Sequence, residues 1–563
     1  MTNFEEAFKR LDQFIEQKMK ATNVPGMAVA VTDRERLLRV STYGFSDVAA
    51  QTPVTPETLF EIGSISKSFT SIALLQLWEE GQVDLHEPVT RYLPWFEIQS
   101  DHEPITLHHL MSHTAGIING AVFLGDPRYE VWMLRKTEAT APPGTYYHYS
   151  NAGYKTLGVV VEEIGGQPFG DIIQARILDP LGMTDTDPII THETRIRLAV
   201  GYEAFYDDRP PAPGRPFATA TWLEYVAADG SIASTPADMA AFMRMLMNRG
   251  HGPRGRIVSE KSFDLMTQQV IEAREEGRDT FYGYGLEILE SDGHTYIGHG
   301  GGMVGYYSYM LIDMSDGLGV VVLMNGPGGR SDEEIATFAL KLLRAALHDQ
   351  ELPPVPPADP TKIENGADYA GTYRACPEHG CTERNQVLRK KPGFKRKAGA
   401  KPFTLVAEGE RLILHYGDER VVLEQRGPDR FYVDHPDFAL FLLRFGRQKG
   451  EVVEAFHGPD WYTNDRYTGP TTFDHPQEWD AYPGHYRSHN PELSDFRIVL
   501  RKGVPALIHA SGDEEPMVSL GRAMFRVGED ERSPERIRFD TILNGRALRA
   551  NLSCGDCYRT FTH

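Results

Sequence analysis

The chain has 563 residues, 41% of them hydrophobic and 24% charged, with a formal net charge of −21. That length exceeds what one ordinary hydrophobic core supports and points to about two to four domains. The acid excess excludes nucleic acid as a general partner, because phosphate backbones reward basic surfaces; no apolar run is long enough to span a bilayer, so no membrane association is expected.

The N-terminus reads as an amphipathic helix rather than a secretory leader. Phe4, Phe8, Leu11, Ile15 and Met19 recur at helical spacing between charges, and Thr2-x-x-Glu5 has the form of a capping box. A cytoplasmic protein is therefore expected. Residues 26–31 and 37–40 read as strands around the polar turn Asp33-Arg34-Glu35. Next comes Gly63-Ser64-Ile65-Ser66-Lys67, followed by Phe69, Ile72, Ala73 and Leu77, an apolar stripe that stops at Gly81. This spacing places Ser64 at a helix N-terminus, where free N–H groups and the macrodipole favour developing negative charge. Lys67, one turn on, shares its face. Two further short motifs follow in order, Tyr149-Ser150-Asn151 and His299-Gly300-Gly301-Gly302. Residues 307–312 and 320–324 then read as strands joined through Asp316-Gly317, and a helix is predicted from Ser331 to about Leu347, with Ser331-x-x-Glu334 as its capping box. Strands from both ends enclosing a helical middle predict an α+β domain over residues 1–350: an antiparallel sheet flanked by helices, with a helical subdomain.

A proline-rich linker occupies 351–366, around Leu352-Pro353-Pro354-Val355-Pro356-Pro357. Beyond it Tyr369-Ala370-Gly371-Thr372-Tyr373-Arg374 recurs as Tyr482-Pro483-Gly484-His485-Tyr486-Arg487, and Arg430-Phe431-Tyr432-Val433 as Met524-Phe525-Arg526-Val527. Short alternating strands with frequent turns predict two small antiparallel barrels, over 367–472 and 478–563. The four cysteines, Cys376, Cys381, Cys554 and Cys557, suit either reduced thiols, the reading preferred here, or a shared zinc site. The basic run from Arg389 to Lys397 reads as a solvated hairpin loop, with an anion or partner site as the alternative.

A serine hydroxyl is a poor nucleophile until a neighbouring base takes its proton. Neither G-x-S-x-G nor H-E-x-x-H is evident, which leaves an α/β-hydrolase and a zinc protease without support. A lysine serves as the base when burial or nearby positive charge weakens its hold on the proton. A tyrosine beside it can share the proton and pass it to the leaving group, an asparagine amide can hold the lysine and a substrate carbonyl, and a glycine-rich strand edge lets a substrate reach backbone N–H groups.

With these motifs the first 350 residues resemble the serine β-lactamase and penicillin-binding protein superfamily, in the branch of class C β-lactamases, esterases and D-aminopeptidases. Pro56-Glu57-Thr58-Leu59-Phe60 and the stretch from Ile105 to Gly116 match the same branch. The resemblance implies Ser64 as the acylated nucleophile, Lys67 and Tyr149 as the acid/base pair, Asn151 as anchor of lysine and substrate, and His299, Gly300, Gly301 and Gly302 as the substrate-binding third motif. It implies no metal and no cofactor. His113 lies in a loop expected to be structural, outside the site, and Asp229-Gly230 stands where such chains often have Gly-Gly. Many relatives carry lysine at the His299 position; a mostly neutral imidazole favours amides, esters and aminopeptidase substrates over penicillins. The layout is similar to three-domain D-aminopeptidases, in which a loop of the last barrel reaches the active site; Asp513-Glu514-Glu515 and Glu529-Asp530-Glu531 are its acidic candidates. The expected function is a serine hydrolase releasing N-terminal D-amino acids from small peptides, amides or esters. A broad carboxylesterase or weak β-lactamase is the alternative within the same chemistry, and a non-catalytic binding or sensing protein the alternative outside it. A homodimer is left open.

Overall fold

The computed structural model describes residues 4–120, 126–212, 214–273, 279–376, 401–491, 493 and 495–560. The basic run and Cys381 lie outside them, as does Thr2.

Nine antiparallel strands form the first sheet, in the order Ile271–Glu272, Thr280–Tyr282, Glu287–Ser291, His294–Met303, Tyr306–Asp313, Leu318–Met324, Gly26–Asp33, Leu37–Asp47 and Thr52–Pro53. The two ends of the domain meet inside it, Met27 facing Met324 and Val31 facing Val320. Gly26–Asp33 reads as an unbroken apolar run because both its faces are covered. Met27, Val29 and Val31 pack beneath a layer of two helices, Glu5–Thr22 and Ser331–Leu347, whose Phe14 and Phe338 rings lie 4.8 Å apart. Ala28 and Ala30 point the opposite way, into the core shared with the helical region.

Two helix starts differ from expectation. Glu5–Thr22 has Phe4 at its N-cap with no side-chain cap. Ser331 is the first residue inside its helix and not its cap; the N-cap is Arg330, and Ser331 Oγ donates to Gly328 O at 2.6 Å. The stretch before it turns on Gly328, so the serine closes that turn instead of the helix end.

The helix Ser66–Glu79 is buried on nearly all sides: Phe69, Ile72, Ala73, Leu74, Leu75 and Leu77 are fully inaccessible, and Phe69 stacks on Phe242 of the helix Pro236–Met247 at 3.9 Å. Such a helix is held by its surroundings rather than by its own amphipathicity, which fixes the turn preceding it.

The chain then crosses to two closed eight-stranded antiparallel barrels, Gly371–Ala375 to Asp460–Thr463 and Gly484–Arg487 to Gly555–Arg559. The linker is tied down: Leu352 and Val355 pack on the two-helix layer, and Arg10 Nη1 donates to Leu352 O at 2.7 Å. The repeat has a structural meaning. Tyr373 and Tyr486 both sit on the first strand of their barrel, both are fully buried, and each donates its hydroxyl four residues back, to Tyr369 O at 2.9 Å and Tyr482 O at 2.7 Å. Phe431 and Phe525 likewise share the fifth strand. Cys376 is half-buried in the first barrel; Cys554 and Cys557 stand in the last hairpin of the second, and all three are free thiols.

The second barrel docks on the first domain. Arg532 lies 4.4 Å over the Tyr146 ring, Thr140 Oγ1 donates to Arg532 O at 2.5 Å, and Arg497 pairs with Asp208 at 2.9 Å.

Candidate active site

Gly63–Ile65 forms a single 3₁₀ turn leading into the helix Ser66–Glu79 and so holds Ser64 at its start. Gly63 has φ of 51°, and a Cβ there would meet the Gly302 amide nitrogen at 2.7 Å. The turn that carries Ser64 is therefore pressed against the strand that carries the third motif, and a larger residue at 63 would part them.

Lys67 is fully buried, and its Nζ donates to Ser64 Oγ at 2.8 Å, Asn151 Oδ1 at 2.7 Å and Asp229 O at 2.9 Å. Those three acceptors are uncharged. Asp229 works here through its backbone carbonyl; its carboxylate turns away to accept the Tyr225 hydroxyl at 2.9 Å, so a side chain at this position leaves the lysine contact intact. Asn151 opens the helix Asn151–Gly165, capped by Ser150, whose Oγ accepts from Gly153 N at 3.0 Å and donates to Ile118 O at 2.7 Å.

Tyr149 lies under Lys67, its ring centroid 4.8 Å from Nζ. Burial pushes its phenol well above the usual tyrosine range, against a hydrogen bond with Ser64 that works the other way. The phenol thus rests in its protonated form. His113 packs against the Tyr149 ring, tilted by 39° with centroids 4.3 Å apart, and accepts the Ser150 amide on Nδ1 at 3.0 Å. Left outside the site in the sequence reading, it supports the Tyr149–Asn151 turn from beneath.

His299 is 2% exposed. Its Nδ1 contacts Gly300 O at 2.6 Å and its Nε2 contacts Tyr282 Oη at 3.0 Å. A carbonyl only accepts, so Nδ1 carries the proton and Nε2 takes the Tyr282 hydroxyl. Burial, then the charge of Lys67, push the imidazole down to about 3. It is neutral at pH 7.

The three glycines differ. A Cβ on Gly301 would meet Ile62 O at 2.0 Å, whereas one on Gly302 would meet nothing within 4 Å. Gly301 permits the close packing; Gly302 faces open space. Pairing of His294–Met303 with Glu287–Ser291 ends at Gly298, so from His299 onward that side of the strand is a local edge.

Tyr149, Asn151 and Gly302 line a cavity of about 1170 Å³ whose far wall comes from the second barrel, including Ser488, His509, Glu515, Glu535 and Cys554. Of the six acidic candidates in that barrel Glu515 alone lines it; Asp513 pairs with Arg430, Glu514 with Arg444 and Asp530 with Arg532. The more intimate contact is Glu535. Its Oε1 accepts Asn119 N at 2.7 Å and contacts His148 Nε2 at 2.9 Å, and its other oxygen accepts Ser553 Oγ. Asn119 in turn accepts Asn151 N on Oδ1 at 3.2 Å and Ala152 N on its carbonyl at 2.9 Å. Burial works to raise the Glu535 carboxyl, but the hydrogen bonds of His148, Asn119 and Ser553 outweigh it and hold it below the usual range. No motif marks Asn119, Tyr282 or Glu535 in the sequence.

The neutral His299 makes the fold acid-sensitive in a defined window. Unfolded, an imidazole takes up a proton below about pH 6.5, whereas here it resists until about 3. Protons thus favour the unfolded chain, and this share of stability, complete above about pH 6.5, is lost as pH falls, at roughly 1.4 kcal/mol per unit. His299→Gln keeps an acceptor for Tyr282 and is expected to flatten the slope of Tm against pH between 4 and 6. An unchanged slope would assign the sensitivity to the other imidazoles that burial holds low, His108, His109 and His113.

A serine on a helix start, hydrogen-bonded to a buried lysine, with a protonated tyrosine beneath and a glycine strand alongside, is the arrangement of a serine hydrolase. The chain belongs to the beta-lactamase family, whose model matches residues 11–344. It is 31% identical over 366 residues to "Penicillin-binding protein 4" of Amycolatopsis lactamdurans, covering 62% of this chain and 93% of that one. It is 26% identical over 461 residues to "D-aminopeptidase" of Brucella canis, covering 80% and 81%. Among solved structures, the octameric penicillin-binding protein homologue from Pyrococcus abyssi superposes with a TM-score of 0.57 at 25% identity, covering 81% of this chain and 99% of that one.

Proposed function

We propose that this serine hydrolase acts on small amides or peptides and releases N-terminal D-amino acids. The observation that carries this reading is the extent of the D-aminopeptidase match, 461 residues, which is longer than the 11–344 of the catalytic family and so takes in barrel sequence as well. The buried neutral His299 supports it, since it supplies no fixed cation for a substrate carboxylate.

In the proposed reaction Lys67 acts from its neutral amine form: Ser64 Oγ attacks the scissile carbonyl and its proton passes to the Nζ lone pair, 2.8 Å away. The oxyanion forms beside the Ser64 and Gly302 amides, the latter abutting the nucleophile turn. Tyr149, resting protonated, gives its proton to the departing nitrogen. Water then attacks the acyl-enzyme by the reverse proton route. Asn151 keeps Lys67 aimed at Ser64 throughout.

The test is a panel: paired D- and L-aminoacyl p-nitroanilides, p-nitrophenyl esters and a chromogenic cephalosporin. The expected result is a D over L preference of at least about tenfold in kcat/KM on anilides. Hydrolysis of esters alone would favour a carboxylesterase, and cephalosporin turnover above the anilides a β-lactamase. A protein that a fluorophosphonate fails to label at Ser64 would be a binding scaffold.

A further inference from the structure

Five carboxylates line the catalytic cavity: Glu203, Asp207, Glu515, Glu535 and Asp556. Four have partners. Asp207 pairs with Arg487, Glu515 with His509 at 2.9 Å, Glu535 with His148 at 2.9 Å, and Asp556 with Arg549 at 3.3 Å. Glu203 has no cationic partner among the described residues; its neighbouring donor is the backbone amide of Gly305. It sits mid-strand in Tyr202–Ala204, half-buried. Successive strand residues face opposite ways. Tyr202 faces Val48, whose amide its hydroxyl accepts at 2.8 Å, and Glu203 faces the cavity, where its charge is felt by the Tyr307 phenol and meets that of Asp207, both lining residues.

The place is close to the chemistry. Gly302, against the nucleophile turn, and Gly305, against Glu203, are three residues apart and so at most about 11 Å from each other. Burial, with the Asp207 charge adding to it, lifts the Glu203 carboxyl above its usual range against the pull of the Gly305 amide. A half-buried carboxylate without a cation is costly to keep and gains most when a cation arrives. The Tyr307 ring on the same wall adds an aromatic surface that ammonium groups favour.

We propose that Glu203 is the subsite for a primary ammonium group of the substrate, and so sets a preference for free amines over blocked or neutral ones. The inference rests on the hydrolase reading above and deepens it. Two sources share this chemistry: the α-ammonium of an N-terminal residue and the end of a basic side chain.

The experiment compares the full-length protein with Glu203→Gln on four p-nitroanilides: D-lysyl, D-norleucyl, and the Nα-acetyl form of each. The readout is the ratio of kcat/KM for a charged substrate to that for doubly neutral acetyl-D-norleucyl anilide. Glu203→Gln is expected to lower that ratio about tenfold, through KM, as loss of one charge-assisted contact does. A fall for D-norleucyl anilide assigns the α-ammonium; a fall confined to the two lysyl substrates assigns the side chain. An unchanged ratio, or an equal loss on all four substrates, overturns the proposal. Ser64 labelling by a fluorophosphonate, which carries no ammonium, separates the two readings. Labelling with no anilide cleavage rejects the aminopeptidase reading, and the same ratio is then taken on the corresponding aminoacyl esters.

Discussion

Ser64→Ala is expected to abolish turnover while leaving the fold in place, because it removes one hydroxyl from a turn held by its neighbours and takes nothing from the core. Loss of such a nucleophile typically costs several orders of magnitude in kcat. Lys67→Ala and Tyr149→Phe are expected to do comparable damage, and the double variant little more than either single one, since the three groups form one connected unit: Nζ to Oγ at 2.8 Å, with the Tyr149 ring 4.8 Å below. Steady-state kinetics on the best substrate, with circular dichroism on every variant, checks this. Lys67→Ala also empties a fully buried position beside Asn151 and Asp229, so its melting temperature is expected to fall while that of Tyr149→Phe barely moves. Near wild-type turnover in Ser64→Ala would end the acyl-enzyme account.

Glu535→Ala is the second large effect. Its carboxylate holds Asn119 N and His148 on either side of the Tyr149–Asn151 turn, and Asn119 passes the constraint on to Asn151 N. Removing it leaves a half-buried amide without its acceptor and frees the turn on which the proposed proton transfer depends. A displacement of about 1 Å near a reacting group costs on the order of a hundredfold, so fluorophosphonate labelling of Ser64 should slow by about one to two orders of magnitude. Glu535→Gln, which keeps an acceptor for the Asn119 amide, should recover much of the loss. If labelling of the folded Ala variant stays at the wild-type rate, the barrel serves the cavity wall alone. The same contact bears on cutting the second barrel away: the remaining domain would lose Glu535 and is expected to acylate slowly.

What the sequence made legible was local or periodic. The stripe from Phe69 to Leu77 marked the helix behind Ser64, and the alternation of Tyr369 with Tyr373, repeated at Tyr482 and Tyr486, marked two barrels of one design. Capping was less secure, because a side-chain oxygen has several donors and acceptors in reach: Ser331 fits a capping pattern but closes the turn at Gly328. Gly301 and Gly302 look alike in sequence and differ only by what the strand opposite brings, Ile62 O for one and open cavity for the other. Asn119, Tyr282 and Glu535 were invisible, since each gains its role from a segment remote in the chain, with no spacing rule to tie them. His113 was read as structural on its loop, and it does support structure, but the structure it supports is the Tyr149–Asn151 turn.

The closeness of Gly63 to Gly302 has a bearing on how the protein is born. Synthesis delivers the nucleophile early, yet the strand that completes its surroundings emerges far later, and the sheet closes only when Leu318–Met324 finds Gly26–Asp33. Until then a nascent chain carries Ser64 without a neighbouring amide from the third motif and without the wall that Glu535 braces. Contacts so distant in sequence form slowly, so Ser64 meets the amide beside it only after Gly302 has been made, and the wall that Glu535 braces comes later still, from the last segment of the chain to be synthesised.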